Sequence, residues 1–128
     1  MMPHTILSNK KNTSAVIHFA SSNSNLVVAG NSSVSNVAIA SSDEVLTGAY
    51  ITQVAWGCDG TGHIQVFRGA TLVAVYDSTG QHEYAGTGMP ITIGQSANLD
   101  VKFVGSANSF LLMEVQKVGN FTSDYIQN

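Results

Sequence analysis

The chain reads as all-β, an antiparallel β-sandwich of jelly-roll type with an extended N-terminal arm. Three observations predict this. Short runs rich in β-branched and aromatic residues recur from residue 49 to residue 117, glycines punctuate the gaps, and no long helical stripe of apolar residues intervenes. Strands at that spacing belong to sandwiches or barrels. The organisation expected is an arm over residues 1–13, a sandwich domain over 14–118 and a polar tail over 119–128, with Phe121, Tyr125 and Ile126 as the tail's anchors.

Taken in order, residues 1–13 are mostly polar and offer only Ile6 and Leu7 as apolar anchors. Such a segment either frays or orders when it meets a partner. In the second case Ile6, Leu7, Lys10 and Lys11 are the contact residues. Residues 14–42 are rich in Ser and Asn, yet apolar islands at 15–19, 26–29 and 37–40 interrupt them. Three short strands joined by polar loops are expected there. The Asn-x-Ser sequons at Asn12 and Asn31 are read as chance, because residues 1–12 hold no apolar core of a secretion signal.

Longer strands are expected at 49–56, 63–67, 71–76, 97–104 and 109–117. Within the first of these, Trp56 is expected on the same side as Tyr50 and Val54, as a core or rim aromatic. Between the second and third, Gly69 and Ala70 suit a two-residue hairpin turn in which glycine supplies a positive φ and Arg68 pairs with Thr71. Val66 then faces Val73 and Ile64 faces Val75, and these four form the buried side. The opposite side, including Phe67, Leu72 and Tyr76, is too apolar for plain solvent. In the last strand Leu111, Met113 and Val115 alternate with Phe110, Leu112, Glu114 and Gln116. Both faces of that strand look covered, which either subunit contact or a central place in the sheet explains. Phe67, Leu72, Tyr76, Phe110 and Leu112 are the candidate contacts of a homo-oligomer.

Composition narrows the function. At 128 residues the chain is one domain's worth. Charged residues make up 10% against a usual quarter or so, leaving a surface weakly solvated by charge. Lys10 and Lys11 are the only charges before Asp43, whereas the rest sets three basic residues against eight acids. That is no basic stripe, so nucleic acid is not an expected partner. No run approaches the length of a membrane span, and no membrane partner is expected. The lone Cys58 reads as a small buried hydrophobe in a protein made in a reducing compartment.

Catalytic and metal motifs are weak. Asp77-Ser78-Thr79-Gly80 has no second loop to supply a partner carboxylate and reads as a turn. His63 with Asp59, and His82 with Glu83, lack ligand spacing, and strand neighbours point to opposite faces. Gly86-Thr87-Gly88 does not lead from a strand into a helix, and no Gly-x-Ser-x-Gly occurs. No cofactor, metal or enzymatic activity is expected. Trp56, Tyr76 and Tyr84, with polar neighbours, are candidate stacking faces for a glycan.

Residues 66–80 (VFRGATLVAVYDSTG) and 97–105 (ANLDVKFVG) resemble the small all-β structural proteins of marine tailed phages, a group that includes head decoration, or cement, proteins. The resemblance spans about residues 36 to 118 and rests on strand-and-turn texture. It implies a virion component, made in the host cytoplasm, that binds the major capsid protein on the outside of the shell and stabilises it, usually as a trimer. The arm then becomes a capsid-contacting element. A tail-fibre or lectin-like receptor domain that binds glycans is the alternative.

Overall fold

The computed structural model describes residues 4–10, 13–20, 23–31, 37–41, 44–84, 96–105 and 108–120. Among them are nine strands and no helix: β1 (His4–Lys10), β2 (Ser14–Ala20), β3 (Ser24–Leu26), β4 (Val45–Gly57), β5 (His63–Arg68), β6 (Thr71–Asp77), β7 (Thr79–Glu83), β8 (Leu99–Val104) and β9 (Phe110–Asn120). They form a five-stranded sheet, β1-β2-β9-β4-β7, and a four-stranded sheet, β3-β8-β5-β6. All named pairings are antiparallel. The two sheets pack face to face as a β-sandwich.

The pairing is nested. β5 pairs with β6, and outside that hairpin β4 pairs with β7, β3 with β8 and β2 with β9. Alternation along each strand supplies the core: Ala15, Ile17 and Phe19 from β2, Leu111, Met113 and Val115 from β9, Ile64 and Val66 from β5, and Leu99 and Val101 from β8 are all buried. β9 takes the central place in its sheet, between β2 and β4; its inner side, Leu111, Met113 and Val115, is buried, whereas on its outer side Phe110 is exposed and Leu112 only half-buried, so that face is not fully covered as expected.

Several expectations are corrected. The segment read as an arm is the edge strand β1, paired with β2 from His4↔Phe19 to Lys10↔Ser14. Ile6 packs on the core, whereas Leu7 sits at an irregularity of the pairing and is 57% exposed. Lys10 is exposed, and Lys11 lies outside the described residues. The tail does not begin at 119, because β9 continues to Asn120; residues 121–128, with Phe121, Tyr125 and Ile126, lie outside the described residues. The island at 37–40 is a turn rather than a strand, closed by Ala40 N–H donating to the Val37 carbonyl, with Val37, Ile39 and Ala40 buried. The 26–29 island yields only the end of β3, with Val28 buried beyond it. Gly86-Thr87-Gly88 lies outside the described residues.

Bulges account for two further differences. In the β5–β6 hairpin Arg68 pairs with Thr71 around Gly69, whose φ is 61°, as the turn requires. One step on, the register shifts: Phe67 pairs with Leu72 but Val66 with Ala74, so Val73 is an extra residue. Val66 therefore faces Ala74 rather than Val73, and Ile64 faces Tyr76 rather than Val75. Tyr76 turns inward at 6% exposure and Val75 outward at 53%. In β4 the shift between Ile51 and Gln53 does the same, placing Tyr50 with Gln116 on the outer face but Val54 and Trp56 with Met113 and Leu111 on the inner one. Tyr50 and Val54 thus point opposite ways.

Candidate functional site

Three places carry chemistry or contact surface, and the strands set each of them. The first is the outer face of the five-stranded sheet. Here Val16, Ala55 and Leu112 stand on neighbouring strands, joined through the pairs Val16↔Glu114 and Ala55↔Leu112. With Gln53 and Glu114 they line a depression of about 210 Å³. Thr52 donates to the Glu114 carboxylate at 2.9 Å beside it. Phe110 extends the apolar area, half exposed above Gly57, where an added Cβ would lie 2.7 Å from its ring. His18 stands 6.4 Å from the Phe110 ring centre.

The second place is the outer face of the four-stranded sheet. Phe67 and Leu72 face each other across the hairpin, with Val75 and Val104 exposed on the same side. Lys102 Nζ lies 4.9 Å from the centre of the Phe67 ring, a cation–π contact. The residues expected to form one oligomer interface are therefore split. Phe67 and Leu72 lie on one outer face, Phe110 and Leu112 on the opposite one, and Tyr76 is in the core.

The third place joins the aromatic residues expected to hold a glycan. Trp56 and Tyr76 stack with ring centres 4.4 Å apart, the hydroxyls of Tyr76 and Tyr84 are 2.9 Å apart, and Tyr84 lies 4.2 Å from the His82 ring. The cluster is turned in on itself. Trp56 Nε1–H donates to the Asp77 carbonyl at 2.8 Å, and its indole sits so close over Gly80 that a Cβ there would lie 2.8 Å away. Burial, reinforced by the bond to Tyr84, raises the Tyr76 phenol well above its usual range. Burial, with the nearby Asp77 charge adding to it, likewise pushes up the Cys58 thiol. Both groups stay protonated at neutral pH.

Charge inside the sandwich is the part that the reading of the residues missed. Arg68 is buried and donates across the sandwich to the Ala49 carbonyl at 2.8 Å. Lys117 and Glu44, whose side chains are 0% exposed, form an ion pair at 2.8 Å. Lys117 Nζ also donates to Asn9 Oδ1 at 2.5 Å, and Glu44 Oε1 accepts from the Ser41 N–H at 2.6 Å. A signal for both cations existed: extending Ile64, Val66 and Leu111, Met113, Val115 by one more period-two step lands on Arg68 and Lys117. Among the described residues, no group of three or more His, Cys, Asp or Glu is placed to hold a metal ion, and no helix is long and apolar enough to cross a membrane. Set against protein-family models, curated proteins and solved structures, the chain matches none.

Proposed function

We propose that this is a non-enzymatic structural protein of a virus particle, a decoration or cement protein that binds the outer surface of the major capsid protein shell and stabilises it. The observation that carries the reading is a sandwich with apolar side chains reaching solvent on both outer faces, exposed Phe110 beside half-buried Leu112 on one and exposed Leu72 and Val75 on the other, under a very low charge density. A surface of that kind favours contact with other chains. We read the strand order as a jelly roll, since β2-β9-β4-β7 and β3-β8-β5-β6 are the two four-stranded halves of a long hairpin rolled up on itself. Jelly rolls recur in virus capsids and in lectins, so this support is analogy at the level of fold. In this reading one outer face meets the capsid and the other a second copy of the chain, in a trimer, and β1 contributes as a paired edge rather than as a free arm. The protein is made in the host cytoplasm and ends on the virion.

The glycan reading draws less support, because Trp56 and Tyr76 spend their ring faces and polar atoms on each other and on the backbone. The test is co-sedimentation of the purified protein with shells assembled from the major capsid protein of the same genome. Saturable binding, weakened at least tenfold by Leu112→Asp or by Leu72→Asp but not by Trp56→Phe, supports the proposal. Absence of binding to those shells overturns it.

A further inference from the structure

The side chains around Lys117 are arranged for a covalent reaction. Asn9 and Lys117 lie on β1 and β9, separated in the sheet by β2, yet they share its inner side: Asn9 pairs with Ala15, and Ala15 with Val115, two residues before Lys117. Lys117 N–H donates to the Thr13 carbonyl at 2.9 Å, which sets the lysine at the β1–β2 turn. Its Nζ then touches two groups, the Asn9 side-chain oxygen at 2.5 Å and the Glu44 carboxylate at 2.8 Å. A carbonyl carbon lies about 1.2 Å from its oxygen, so Nζ is at most about 3.7 Å from Asn9 Cγ, close to the ~3–3.5 Å of a near-attack arrangement.

We propose that Lys117 and Asn9 form an autocatalytic isopeptide bond, with Glu44 as the proton-transfer group. Lys117 and Glu44 are both out of water, where separated charges are costly. Passing one proton from Nζ to the carboxylate turns the ion pair into a neutral amine beside a carboxylic acid, and the free amine is the nucleophile. Its lone pair attacks Asn9 Cγ, and the carbonyl π electrons move onto Oδ1. As they return, the bond from Cγ to the side-chain nitrogen breaks and an amide remains between Nζ and Cγ. Of the three ammonium protons, one stays on the new amide. The other two pass by way of Glu44 to the leaving nitrogen, which departs as ammonium, and Glu44 ends as the carboxylate it began as.

No external reagent enters this balance. The Ser41 N–H bond fixes Glu44 in place, and Asn9, on the exposed edge strand, gives the leaving nitrogen a path to solvent. The reaction runs once per chain, which makes it a maturation step and not a turnover activity. It is independent of any capsid role.

Mass spectrometry of the purified full chain, after denaturation, tests it. The expected mass falls below that of the sequence by one ammonia. Trypsin then leaves Lys117 uncut and yields a branched product joining the peptides that carry Asn9 and Lys117. Glu44→Gln and Asn9→Ala each restore the full mass and the tryptic cut at Lys117. Parent protein that melts cooperatively with a β-type circular dichroism spectrum yet carries its full mass overturns the proposal, whatever the variants do. So does an ammonia loss that maps to an asparagine other than Asn9.

Discussion

The bulge at Val73 has a sharp energetic consequence, because it decides whether Val75 joins Val66 in the core of the sandwich. An unbulged hairpin buries Val66 and Val75 alike, whereas the structure leaves Val66 at 0% and Val75 at 53% exposure. The perturbation is aspartate at each position in turn. At Val66 the substitution forfeits a buried aliphatic side chain, about 1.5–3 kcal/mol. It also buries a carboxyl group without a designed partner, about 1–3 kcal/mol more even if the group takes up a proton. The sum, about 2.5–6 kcal/mol, is a large part of the ~5–15 kcal/mol that holds an ordinary domain folded. At Val75 a half-exposed carboxylate keeps its water, and the loss is confined to strand preference, at most about 1 kcal/mol. Urea unfolding followed by circular dichroism reads both, provided the slope of the transition is shared. Equal losses at the two positions would refute the bulged register, and with it the inward turn of Tyr76.

Two further outcomes follow from the core. The raised Tyr76 phenol means that the unfolded chain gives up this proton near pH 10 while the folded one keeps it, so its contribution is fully present below about pH 10 and stability declines above it; Tyr76→Phe should flatten that decline in melts taken at pH 9–11, at a neutral-pH cost of about 1 kcal/mol for the lost hydroxyl contact. At Gly119 an added Cβ would lie 2.5 Å from the Val45 carbonyl oxygen and 3.0 Å from Leu46 Cα, backbone that cannot step aside, so Gly119→Ala should destabilise by about 1–3 kcal/mol in the same urea assay.

The sandwich was legible because period-two alternation in β2, β5, β8 and β9 is strong, and because glycine at position 69 announces its hairpin. What escaped is instructive in physical terms. A bulge inserts one residue without changing composition, so the inward and outward sets exchange beyond it, as Tyr50 with Val54 and Val75 with Tyr76 show. β1 escaped because an edge strand needs to cover only part of its length, and of its half-buried residues, His4, Ile6 and Ser8, only Ile6 is apolar. β7 escaped because its residues, Thr79–Glu83, form a polar edge entered through Ser78 at φ 59°, which reads as a turn. The Lys117–Glu44–Asn9 group joins residues far apart in the chain, and no local pattern announces such a meeting; only the continuation of alternation into Lys117 hinted that a charge would enter the core.

β9, the last of the described strands in chain order, lies in the middle of its sheet, with β2 on one side and β4 on the other. A nascent chain that stops short of it presents two facing strand edges, rich in β-branched residues and separated by the width of the missing strand. Such edges are templates for pairing with other chains. Folding therefore waits on the completion of residues 110–120, and the contacts that close the sheet are of long range, which makes closure slow. Loss of residues 110–120 through premature termination or proteolysis removes the seam of the sandwich, so chains truncated before β9 are expected among aggregates and not among soluble folded protein.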